Sequence, residues 1–161
     1  MTQATGVRRV AVALVLSLAA AVPGGAETVR ASDPDGVVAA LRDAGFAAEL
    51  RRTRAGDPLI RAATPGELPF QMRFYGCLGG RDCTSLQLVA GFAARGVSAE
   101  TVNGWNAALR YGRVHVTGGG QPVLAMDVAP EPGGLTPAQF AARLATWDAL
   151  VEGVLARLDG L

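Results

Sequence analysis

The chain has 161 residues, 50% of them hydrophobic and 18% charged, which is enough apolar material for one packed core and too much for a disordered segment. Fifteen basic residues face fourteen acidic ones, and every basic residue is an arginine. So even a balance excludes a dedicated nucleic-acid binder, which carries a clear basic excess; the absence of lysine reads as compositional bias and carries no functional weight.

In chain order, the first predicted element is a leader. Arg8 and Arg9 precede an apolar run from Val10 to Val22, and Pro23-Gly-Gly-Ala26 follows: a basic region, a hydrophobic region and a small-residue cleavage site. This predicts a secretory signal peptide over residues 1–26, cut after Ala26 by ordinary Sec export, since nothing after Arg8-Arg9 strengthens a twin-arginine signal. The run is shorter than the ~20 residues a bilayer crossing needs, and no second run follows. The expected mature protein is a single periplasmic or secreted domain over residues 27–161, with no membrane span and with 13 basic residues against 14 acidic ones once Arg8 and Arg9 are removed.

Asp33-Pro34 predicts a helix start, with an N-cap and proline at the first helical position. Val37, Val38 and Leu41 form its apolar stripe, and Gly45 suits the left-handed position past its end. Ala47–Thr53 and Pro58–Ala63 read as two edge strands around the turn Arg54-Ala-Gly-Asp57, with Arg51, Arg52 and Arg54 as a solvated edge that discourages aggregation. Phe70, Met72 and Phe74 alternate with polar residues, as do Leu86, Leu88 and Ala90, which makes a second hairpin of half-buried strands. Ser98 then caps a helix whose buried stripe is Val102, Trp105 and Leu109, with a Val97 to Val102 staple. A third hairpin folds around Gly118-Gly119-Gly120, pairing Val116 with Leu124 and Val114 with Met126, which sets Asp127 opposite Arg113 for a cross-strand ion pair. After the breaker Pro130-Glu-Pro-Gly-Gly134, Thr136-Pro137-Ala-Gln139 is a capping box. It opens a long helix whose stripe Phe140, Leu144, Trp147, Val151, Val154 and Leu158 packs on the sheet or on a partner. The predicted order is α-β-β-β-β-α-β-β-α, an α+β fold with an antiparallel sheet of hairpins and flanking helices.

Cys77 and Cys83 are the only cysteines. Their C-x₅-C spacing lacks the further ligands of a zinc site, because the lone His115 cannot complete four, and a redox pair wants C-x-x-C opening a helix. In an oxidising compartment a disulfide remains. Setting Cys77 opposite Cys83 also sets Phe74 opposite Leu86, Met72 opposite Leu88 and Phe70 opposite Ala90, so the apolar pattern and the cysteine pair require one register. Tyr75 and Arg73 then share the other face with Ser85 and Gln87. No serine or cysteine sits in a nucleophile elbow, the triple glycine lacks the Lys-Ser/Thr of a phosphate loop, and no paired carboxylates occur.

Several strings together resemble one family. They are Cys83-Thr-Ser-Leu86 leading into a strand that ends near Phe92, Val102-Asn-Gly-Trp105-Asn106, Tyr111-Gly-Arg113, Val123-Leu-Ala-Met-Asp127-Val128, and Gly134-Leu-Thr136 with Phe140 and Trp147. In their order and spacing, from about Ala31 to Leu158, they resemble the YbjN-domain family, whose members are labelled bacterial sensory transduction regulators and resemble the type III secretion chaperone fold. The resemblance implies a small α+β domain, often dimeric, without a known catalytic site, cofactor or metal; a cytosolic regulatory role fits poorly with the predicted leader. The expectation is a non-enzymatic, exported, protein-binding or chaperone-like domain whose partner is a polypeptide or a second copy of itself, with Arg73, Tyr75, Asn103 and Asn106 as its interaction surface. The alternatives are a structural or stress-associated envelope protein and an enzyme whose site assembles from His115, Tyr75, Arg73 and Asp127, which requires those groups to converge on a pocket.

Overall fold

The computed structural model describes residues 28–128 and 133–161, so the predicted leader, residues 1–26, and most of the Pro130–Gly134 breaker lie outside the described residues. The elements are α1 (Pro34–Asp43), β1 (Ala47–Arg52), β2 (Pro58–Ala63), β3 (Pro69–Tyr75), β4 (Ser85–Gly91), α2 (Ala99–Asn106), β5 (Arg113–Val116), β6 (Pro122–Val128) and α3 (Pro137–Asp159). Their order is the one the sequence predicts.

Local chemistry sets the helix starts. Asp33 accepts a hydrogen bond from the Gly36 amide at 3.1 Å ahead of Pro34, and Ser98 accepts from the Thr101 amide at 3.0 Å. At α3, Thr136 and Gln139 form a reciprocal capping box, each side chain accepting from the other's backbone amide. Just before it, Val29 and Leu135 exchange two backbone hydrogen bonds and tie the first described residues to the head of α3.

The six strands form one antiparallel sheet in the order β1-β2-β3-β4-β6-β5. Helices α1 and α3 cover one face, and their apolar stripes join the inward residues Ile60, Met72, Leu88, Leu124 and Met126 in a single core. The α3 stripe is spent on this core: Phe140, Leu144, Trp147, Val151 and Val154 are all buried, and the Trp147 ring lies 5.5 Å from that of Phe70. Only Leu158, at the end of the stripe, is partly exposed.

Three expectations are corrected. Only β1 is an edge strand of the first hairpin. The Thr64–Leu68 loop closes on itself through Thr64 N–H to Leu68 O and Glu67 N–H to Thr64 O, folding β3 back along the free side of β2. In the third hairpin Val114 faces Leu124 and Val116 faces Pro122, a slip of two residues from the expected pairing. Such a slip keeps every side chain on its face, so hydrophobic alternation cannot detect it; the short Gly118–Gly120 loop, closed by Thr117 N–H to Gln121 O, selects the tighter register. Finally, α2 ends at Asn106, one turn before Leu109, and of its expected stripe only Val102 is fully buried, with Trp105 and Leu109 packed at the margin.

Candidate functional site

The second hairpin has the predicted register: Phe74 faces Leu86, Met72 faces Leu88 and Arg73 faces Gln87. Just beyond it, Cys77 and Cys83 are disulfide-bonded with their Cα atoms 3.9 Å apart, and no free cysteine remains. The enclosed tip turns at Gly79 and Gly80, both at positive φ, while Leu78 and Arg81 exchange backbone hydrogen bonds. Gly80 is needed for a second reason, since a Cβ there would lie 2.7 Å from the Gly56 carbonyl oxygen of the neighbouring hairpin. One Arg52 nitrogen donates to both tips, to Gly56 O at 2.8 Å and Gly80 O at 3.0 Å. Arg52 is thus a clasp between hairpins and not merely a solvated edge charge. Because the disulfide spans only six positions, removing it with Cys77→Ser and Cys83→Ser is expected to lower stability by about 2 kcal/mol without loss of fold, read as a lower denaturant midpoint at unchanged slope.

Both edges of the sheet are capped by side chains. At the β1 edge, Arg42 from α1 donates two hydrogen bonds to the Ala48 carbonyl, at 2.8 and 3.2 Å. At the β5 edge, Asn106 imitates a neighbouring strand: its Nδ2 donates to Val114 O at 2.9 Å and its Oδ1 accepts from Val114 N–H at 2.8 Å. An incoming polypeptide that pairs as an extra strand needs those same backbone groups.

The face of the sheet opposite the helices carries Tyr75, Gln87, Asp127 and Arg113 in a row across β3, β4, β6 and β5. Tyr75 Oη donates to Gln87 Oε1 at 3.2 Å, Gln87 Nε2 donates to Asp127 Oδ1 at 2.6 Å, and Arg113 Nη1 donates to Asp127 Oδ2 at 2.5 Å. The Arg113 guanidinium, and after it the Gln87 amide, hold the Asp127 carboxyl below the usual aspartate range. The expected ion pair therefore forms, but on the diagonal, because Arg113 lies directly opposite Ala125. Beside the row, Val89, Gly91 and Val123 floor a shallow depression of about 420 Å³ flanked by Arg61, Gln71 and Arg73. Arg73 Nε and Nη2 both donate to Gln71 Oε1 at 3.3 Å.

Of the predicted surface residues, Arg73 and Tyr75 share this open face, with Tyr75 at 44% exposure. Asn103 is exposed on α2, beyond the β5 edge, and the Asn106 amide is turned into β5 rather than offered to a partner. The four do not form one surface. His115, Tyr75, Arg73 and Asp127 are strung along the open face, only Arg73 of the four lines the depression, and His115 takes no part in the hydrogen-bonded row. Among the described residues no group of three or more His, Cys, Asp or Glu is placed to hold a metal, and no helix is long and apolar enough to cross a membrane. Sequence reasoning missed Arg61, Val89, Gly91 and Val123, which occupy alternate positions of their strands and become neighbours only once the strand order is known.

These features define a two-layer α+β domain with one helix-covered and one open sheet face. The family comparison agrees: residues 33–159 match the YbjN family, described as a putative bacterial sensory transduction regulator, and the chain belongs to that family. No curated protein and no solved structure is significantly similar to it.

Proposed function

We propose that the protein is a non-enzymatic, exported regulatory domain that acts by holding another polypeptide against the open face of its sheet. One observation carries this reading: the helices occupy one face, Arg42 and Asn106 cap the two edges, and the remaining broad surface mixes aligned polar groups with the apolar floor of buried Val89 and half-buried Val123. Interfaces of moderate affinity have this mixture, with apolar contact at the centre and hydrogen-bonding groups around it. The family's description as a regulator supports binding rather than turnover. Export rests on the leader pattern of residues 1–26 and on the disulfide, which persists in oxidising compartments.

A photo-crosslinking side chain installed at Tyr75, compared with one at Ala145 on the exposed side of α3, tests the surface in cells producing the full chain. A discrete crosslinked polypeptide from Tyr75 alone is expected; equal or absent crosslinking at both positions overturns the reading. N-terminal sequencing of the same material is expected to begin at Glu27, and recovery of intact residues 1–26 from the cytosol overturns the export step.

A further inference from the structure

Charge is distributed unevenly over this nearly neutral chain. The open face carries Arg51, Arg61, Arg73 and Arg113 against only two carboxylates, Glu49 and Asp127. Both carboxylates are already paired, Glu49 with Arg51 at 2.7 Å and Asp127 with Arg113. Arg61 and Arg73 have no ion-pair partner among the described residues, and they stand on the same side of the depression. A second copy laid on this face brings like charges together, which disfavours self-association there. The depression is open along the sheet and does not enclose a small ligand, which is normally buried over most of its surface.

Its floor is shaped by a missing side chain. Gly91 lies beside Val123 in the β4–β6 register and on the same face as Val89. Its φ is not in the left-handed region, and a Cβ built there meets nothing closer than the Gln121 amide nitrogen at 3.6 Å, an ordinary contact. The strand does not require glycine at this position; the glycine leaves a seat on the surface.

We infer that this seat takes an aliphatic side chain from an acidic segment of the partner polypeptide, whose carboxylates lie along one side of it on Arg61 and Arg73. The inference rests on the open-face reading above and adds to it the chemistry of the partner. Arg73, steadied by Gln71, stands with Arg61 on one side of the depression for carboxylate pairing, and the Val89, Val123 and Gly91 floor accepts the apolar group beside the charges. With both edges capped, the segment crosses the face instead of extending the sheet.

The test uses protein purified from cells producing the full chain, labelled with nitrogen-15, and the synthetic peptide acetyl-Glu-Leu-Glu-Glu-Leu-Leu-Glu-amide. The expected result is saturable amide shifts at Arg73, Val89, Gly91 and Val123 below about 1 mM peptide, weakening as salt is raised. The same peptide with glutamine for each glutamate is expected to bind about fivefold to tenfold more weakly, as is the acidic peptide to Arg61→Gln/Arg73→Gln, since each exposed pair contributes modestly. Gly91→Val, which suits a strand and fills the seat, is expected to weaken the acidic peptide at least about tenfold while leaving the denaturant midpoint equal or higher. Equal binding of the two peptides, unchanged binding to Gly91→Val, shifts confined to the helical layer, or no saturable shift overturns the inference; so do the same shifts produced by raising protein concentration alone, which assign the face to a second copy. If the Tyr75 crosslink forms while the acidic peptide fails, the partner chemistry falls and the open-face reading survives.

Discussion

Replacing Trp147 with alanine is expected to cost about 3–5 kcal/mol, the largest loss of any single substitution considered, read from the denaturant midpoint of unfolding. Trp147 is completely buried midway along α3 and packs on Phe70, which in turn meets Phe46 edge-on with ring centroids 6.0 Å apart. Truncation removes the ring that joins the long helix to β3, inside the sheet, and leaves a cavity that rigid strands cannot close. The indole N–H is buried without a hydrogen-bond partner among the described residues, an arrangement that carries a desolvation cost of about 1–3 kcal/mol. Trp147→Phe removes that cost along with part of the volume, so it is expected to lose less than half of what alanine loses. A phenylalanine variant as damaged as the alanine variant shows that the N–H has a partner after all.

How much of this was legible in the sequence depends on how many independent patterns constrained each pairing. The β3–β4 register followed from two of them, the alternation of Phe70, Met72 and Phe74 against Leu86 and Leu88 and the pairing of Cys77 with Cys83, and the structure agrees at every paired position. The β5–β6 register had alternation alone across a run of glycines, so a two-residue slip was invisible. Helix starts were readable because a cap is a contact among neighbours, as at Asp33, Ser98 and Thr136. The open face was not, because Tyr75, Gln87, Asp127 and Arg113 meet only after β6 inserts between β4 and β5. Arg52 and Asn106 were misread for the same reason. Each looks like an ordinary exposed polar residue until the backbone it serves, 28 positions away for Gly80 and eight for Val114, is brought beside it.

Asn106→Ala is expected to destabilise the protein by about 1–3 kcal/mol and to raise its tendency to self-associate. The substitution removes both hydrogen bonds to Val114, at 2.8 and 2.9 Å, and uncovers an N–H and a C=O pointing outward from β5. Val114 itself is 3% exposed, so its neighbourhood is poorly hydrated and water replaces the carboxamide only in part. The freed pair is also the template that another strand needs, and light scattering at rising concentration is expected to show more association than in the parent. Asn106→Asp separates the two functions of the amide. At neutral pH the carboxylate still accepts from Val114 N–H but sets a second oxygen against Val114 O, so the variant is expected to be destabilised; protonation of the introduced carboxyl supplies a donor and is expected to restore part of the loss as pH falls. An aspartate variant with a flat stability profile over that range, or an alanine variant as stable as the parent and no more associated, refutes the edge-capping role and leaves β5 available as a second docking site.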